Sequence, residues 1–95
     1  MNKKTDYLLK YVSTDTYNKI LKDSNSYVLE LLEDNFIDVS LNINFLIKYG
    51  VSNIEKIIPS MLEELITSHN EFIGKIEGYE KTLTKDEVIT LIENL

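Results

Sequence analysis

The chain has no cysteine, tryptophan, arginine, alanine or glutamine among its 95 residues. Without cysteine there is no disulfide framework, no thiolate metal site and no cysteine nucleophile. The absence also fits the cytoplasm, which is the expected location. Long apolar runs are missing as well. The longest hold two or three residues, as in Phe45-Leu46-Ile47, so no segment reads as a membrane span. Met1-Asn2-Lys3-Lys4 is basic, but the apolar residues after it are broken by Lys10 and by Ser13 to Thr16. That pattern is too short and too polar for a signal peptide. Positive charge is scarce: ten lysines face sixteen acids, for a net charge of −6. This balance argues against a basic nucleic-acid binder.

What remains is an ordinary globular composition, 43% apolar and 27% charged. The length allows one domain, which can bury roughly 60–65% of its unfolded surface. Charge is uneven. Residues 1–48 hold six lysines and seven acids, net −1, whereas residues 49–95 hold four lysines and nine acids, net −5. The acidity belongs to the C-terminal half.

The apolar spacing is mostly helical. Residues 4–12 predict a short amphipathic helix with Tyr7, Leu8 and Tyr11 on one side, followed by helices over 15–22 and 27–34. From Phe36 to Tyr49 the pattern is ambiguous. Val39, Leu41, Ile43, Phe45 and Ile47 alternate as in a strand, while Val39, Ile43, Leu46 and Ile47 fit a helix. A buried helix over about residues 40–49, ended by Gly50 as a left-handed cap, is the better reading. Ile54, Ile57, Ile58, Met61, Leu62, Leu65 and Ile66 make one stripe, which Pro59 must kink or divide. Further helices are expected over 69–82 and 85–94, the second burying Val88, Ile89, Leu91 and Ile92. Capping-box patterns occur at Ser52–Glu55, Ser60–Glu63, Ser68–Glu71 and Thr84–Glu87. The expected fold is all-α, a single domain over 1–95. It is an irregular bundle or short helical-repeat array of six to seven short helices, with N-terminal helices in 1–39 and repeat-like helices in 40–95.

Two segments about 32 residues apart look alike, Asn42 to Glu55 and Lys75 to Glu87. Each is an apolar helix, a tight turn and a capped helix. Phe45-Leu46, Gly50-Val51, Ile54, Ile57-Ile58, and Pro59 with Leu62 resemble the helical repeat of the mitochondrial transcription termination factor family over residues 40–95. The resemblance implies a helical-repeat shape. That family binds nucleic acid through a basic concave face, whereas the corresponding half of this chain carries net −5 and no arginine. Direct nucleic-acid binding is the alternative function, and it would need Lys3, Lys4, Lys10, Lys19 and Lys22 to gather on one face.

No arrangement of residues stands out for catalysis. His69 is the only histidine, and a zinc site would need three carboxylates around it. Its place between Ser68 and Asn70 reads as a solvated or capping histidine. The chain contains no phosphate loop, dinucleotide fingerprint, HExxH or calcium-loop pattern. A non-enzyme without cofactor or metal is expected.

Two features point to binding. Glu71, Glu77, Glu80, Asp86 and Glu87 form an acidic set that suits a basic protein surface, although helix N-termini alone favour acids at several of these positions. Gly74 and Gly78 lie one turn apart, opposite Phe72, Ile76 and Tyr79, where an outer face could admit another backbone. Tyr7, Tyr11 and Tyr17 either form an N-terminal aromatic patch or pack their rings on the core. The expected function is a non-catalytic protein-binding module. Its bulk properties are similar to those of the small acidic inhibitors of nucleic-acid-handling proteins that phages encode, anti-CRISPR and anti-restriction proteins among them. A structural or self-associating helical domain is the third reading.

Overall fold

The computed structural model describes residues 5–95. A short 3-10 helix, Asp6–Lys10, precedes seven α-helices: α1 (Thr14–Asp23), α2 (Ser26–Asp34), α3 (Phe36–Tyr49), α4 (Ile54–Ser60), α5 (Leu62–Ile66), α6 (His69–Glu80) and α7 (Lys85–Glu93). No strand occurs among the described residues, so the fold is all-α. The longest helix, α3, is the hub, packing on α2, α4, α5 and α6. The 3-10 helix and α4 flank α1, and α7 packs on α6. One apolar cluster runs through these elements, from Leu8 and Ile20 through Leu32, Ile43, Leu46, Ile58 and Leu65 to Phe72, Ile76, Val88 and Ile92.

Local chemistry explains most of the boundaries. Ser13, Asn25, Ser68 and Thr84 each accept a backbone amide at the start of α1, α2, α6 and α7. Gly50 sits at φ 107°. Its amide reaches the Ile47 carbonyl while Val51 reaches Leu46, which is a Schellman ending for α3. Pro59 divides the long stripe rather than bending it. Without a proline amide to donate, α4 stops at Ser60, Met61 leaves the helical region at ψ 34°, and α5 begins at Leu62.

Several expectations are corrected. Where an α-helix over 4–12 is expected, the described part of that stretch holds a tight 3-10 helix, Asp6–Lys10. α3 starts at Phe36, four residues earlier than expected, crosses the 39–40 boundary, and leaves one face in solvent, where Leu41 and Ile47 are exposed. Leu91, expected inside, is exposed on α7. Of the four capping boxes only Thr84–Glu87 forms completely. Ser68 keeps its half, accepting the Glu71 amide. Ser60 turns back to donate to the Ile57 carbonyl, 2.8 Å away. Asn53 in the left-handed region, not Ser52, precedes α4.

The missing Ser52–Glu55 box has a tertiary replacement for each of its halves. Glu55 accepts from the Ser13 amide and the Thr16 hydroxyl, both at 2.9 Å, and so ties α4 to the start of α1. Glu93 accepts from the Ser52 amide (3.0 Å) and hydroxyl (2.7 Å), closing the loop after α3 onto the end of α7. These hydrogen bonds, from hydroxyl and amide alike, hold both carboxyls below the usual range.

Candidate functional site

α6 is built with one apolar side and one bare side. Phe72 and Ile76 are buried, and Ile73 and Tyr79 are half-buried against the bundle. At ~100° per residue the opposite side carries Glu71, Gly74, Glu77 and Gly78, all exposed. A Cβ built at Gly74 or Gly78 meets nothing within 4 Å. Neither glycine is therefore needed for internal packing, and neither has a positive φ. In a helix interior each glycine costs up to about 1 kcal/mol relative to alanine.

Structure separates the acidic set into unlike members. Glu71, Gly74 and Gly78 share one stripe, with Glu77 beside it. Glu80 falls about half a turn from Glu71 and faces α3, where its Oε2 accepts the Tyr49 hydroxyl at 2.8 Å. Partial burial, together with the Glu80 carboxylate, pushes the Tyr49 hydroxyl up to about 12. Glu87 is engaged in the capping box, its Oε1 accepting the Thr84 amide at 2.9 Å. That bond and its partner to the Thr84 hydroxyl keep the Glu87 carboxyl below its usual range. Asp86 and Glu87 nevertheless stand on the rim of an open groove of about 550 Å³, with Leu83 and Leu91 in its lining. The α6 side is not uniformly negative. Lys75 and Lys81 follow Glu71 and Glu77 at i+4, and Lys85 places its ammonium 5.1 Å from the centre of the Tyr49 ring. Residues 71–87 thus hold five acids and three lysines, net −2.

A polar cluster that the sequence did not signal lies beneath the start of α6. Asn42 is fully buried on α3. Its Nδ2 donates to the carbonyls of Leu65 (2.9 Å) and Thr67 (3.0 Å). Both amide hydrogens are spent there, so Oδ1 faces the ring of His69, whose Nδ1 lies 2.8 Å away and carries the hydrogen. The His69 amide donates to Asp38 Oδ1 at 3.1 Å, and Phe45 lies edge-on to the ring. His69 is therefore bonded into the α3–α6 junction rather than solvated. Among the described residues no group of three or more His, Asp or Glu side chains could hold a metal ion.

The tyrosines of the N-terminal segment pack inward. Tyr17 is buried with its hydroxyl 2.8 Å from Thr5 Oγ1, Tyr7 donates to the Leu32 carbonyl at 2.7 Å, and Tyr11 accepts from Asn44. Burial pushes the Tyr7 hydroxyl well above its usual range. Of the lysines the nucleic-acid reading needs, Lys10, Lys19 and Lys22 are exposed, and Lys3 and Lys4 lie outside the described residues. Among the described residues no helix is long and apolar enough to cross a membrane. No family model, curated protein or solved structure matches the chain.

Proposed function

We propose that the chain is a non-catalytic protein-binding module whose docking surface is the bare side of α6 with the neighbouring groove of α7. The observation that carries this reading is the pair Gly74 and Gly78. They stand exposed inside a helix, cost stability, and have no internal neighbour that a side chain would displace. A partner backbone or helix approaching closely is the physical use of such a surface. Glu71 and Glu77 beside the glycines, and Asp86 and Glu87 around Leu83 and Leu91, suit a partner with an apolar contact and a basic rim. A nucleic-acid-handling protein has such a rim, and an inhibitor of the anti-CRISPR or anti-restriction kind would act by occupying it in the cytoplasm. The net charge of −2 over residues 71–87 favours recognition by shape at the glycines over wholesale imitation of a phosphate backbone.

The test is affinity capture with the Glu71→Lys, Glu77→Lys double variant beside the parent, each with nuclease added. The reading expects a protein retained by the parent and lost by the variant, with thermal midpoints within a few degrees of each other. Equal retention by both chains, or retention abolished by nuclease, contradicts it.

A further inference from the structure

A second surface lies on α3 and owes nothing to the α6 reading. Ile37, Ser40, Leu41, Asn44, Ile47 and Lys48 follow at i, i+3, i+4, i+7, i+10 and i+11, a single helical seam. Tyr11 touches it only at Asn44, and its apolar positions stand open: Ile37 is 61% exposed, Ile47 46% and Leu41 44%, with Phe36 beside them at 49%. The opposite side of α3 is buried through Val39, Asn42, Ile43 and Leu46. The four exposed apolar residues offer roughly 400 Å², within the ~300–600 Å² of the largest patch on a typical monomer, which is often functional. A standard interface takes ~800 Å² from each partner, a little over half of it apolar. This face supplies about the apolar half of one side.

Charge at the two ends of α3 decides what fits. Asp6, Glu33 and Asp34 surround Phe36 at the N-terminal end. Lys48 lies exposed in the last turn, on the seam itself. A second copy of the same face, turned antiparallel, sets Lys48 of each chain against Asp6, Glu33 and Asp34 of the other. It also opposes the helix dipoles. A parallel arrangement stacks like charges at both ends. We infer that the outward face of α3 is an isologous dimer surface, on which a second copy of this chain packs with its α3 antiparallel. Ser40 and Asn44 are the polar positions of that seam, and a polar residue inside a helical seam fixes register. The dimer presents the α6 surface twice, which multiplies avidity for a partner that can engage both.

Sedimentation equilibrium on the full chain tests this. The parent is expected to move from 11.0 kDa toward twice that mass as concentration rises. Leu41→Lys is expected to weaken association on the order of 100-fold, because the two-fold axis places each substitution twice. Its helical circular dichroism should stay unchanged, since Leu41 is a surface position. Lys48→Glu is expected to weaken association, and the double variant Asp34→Lys, Lys48→Glu to restore it. A parent that stays monomeric to millimolar concentration overturns the inference. So does a dimer indifferent to Leu41→Lys, or one broken instead by Gly74→Lys. A dimer that Lys48→Glu leaves intact overturns the antiparallel arrangement.

Discussion

Replacing Gly74 and Gly78 with alanine should make the protein more stable and a worse binder. Gly74 lies in the middle of α6, and its substitution should gain about 1 kcal/mol, the full helix-propensity difference. Gly78 lies in the last turn, where Lys81 already takes its carbonyl, so about 0.5 kcal/mol is the better expectation. Nothing lies within 4 Å of either new methyl, so no clash offsets the gain. The two effects should therefore nearly add. For a domain of this size ~1.5 kcal/mol raises the thermal midpoint by roughly 6–12 °C. Urea unfolding followed by circular dichroism is the assay, and the denaturant slope should not change. Partner capture by the double variant should fall, the usual exchange of function for stability at a binding surface. A midpoint that stays put or drops would refute the claim that these positions are free of internal constraint. A stabilised variant that captures its partner undiminished would leave the glycines without a binding role.

Three further outcomes follow from the polar contacts. Asn42→Ala strips partners from the Leu65 and Thr67 carbonyls and from His69 Nδ1; it should cost about 3 kcal/mol in urea unfolding. Glu55, Glu87 and Glu93 have folded-state values lowered from 4.5, so their stabilisation is complete above that pH and is lost as pH falls through the lowered values. Thermal midpoints measured from pH 7 to pH 2 should decline in that acid window, and Glu93→Gln should flatten the decline. Tyr49, held up at about 12, should titrate later than an ordinary tyrosine when followed by carbon NMR of labelled rings. Glu80→Gln should bring it partway down, since burial is the larger cause.

Much of the helical plan was legible because its signals are local. Gly50 announces the end of α3, Thr84 and Glu87 announce α7, and Pro59 announces the break between α4 and α5, each within four residues of the event. The misread polar residues share one cause. Ser52 and Glu55 look like the two halves of one local capping box, yet Glu55 bonds Ser13, 42 residues away, and Ser52 bonds Glu93, 41 residues away. A three-residue spacing cannot reveal a partner that only the fold brings near. Asn42 looked like one polar residue in an ambiguous stretch. Its role depends on the end of α5 and the start of α6 arriving beside it, 23 to 27 residues on. For α3 the strand-like alternation arose because Leu41 and Ile47 lie outside the core, adding apolar residues on a face the helix does not bury. On α6 the outward placement of Gly74 and Gly78 was legible from 100° stepping, because Phe72 and Ile76 fix the buried side. That Glu80 already serves Tyr49 was not, for this contact crosses between helices.

The most direct test of the docking surface is a photoreactive side chain placed at Lys75, on the exposed side of α6, and a second at Glu30, exposed on α2. Irradiated in the source cell, the Lys75 chain should yield one protein adduct that survives nuclease and is missing from the Glu30 chain. The same adducts from both positions, or adducts to nucleic acid alone, would contradict the assignment of α6 as the surface through which this protein binds another.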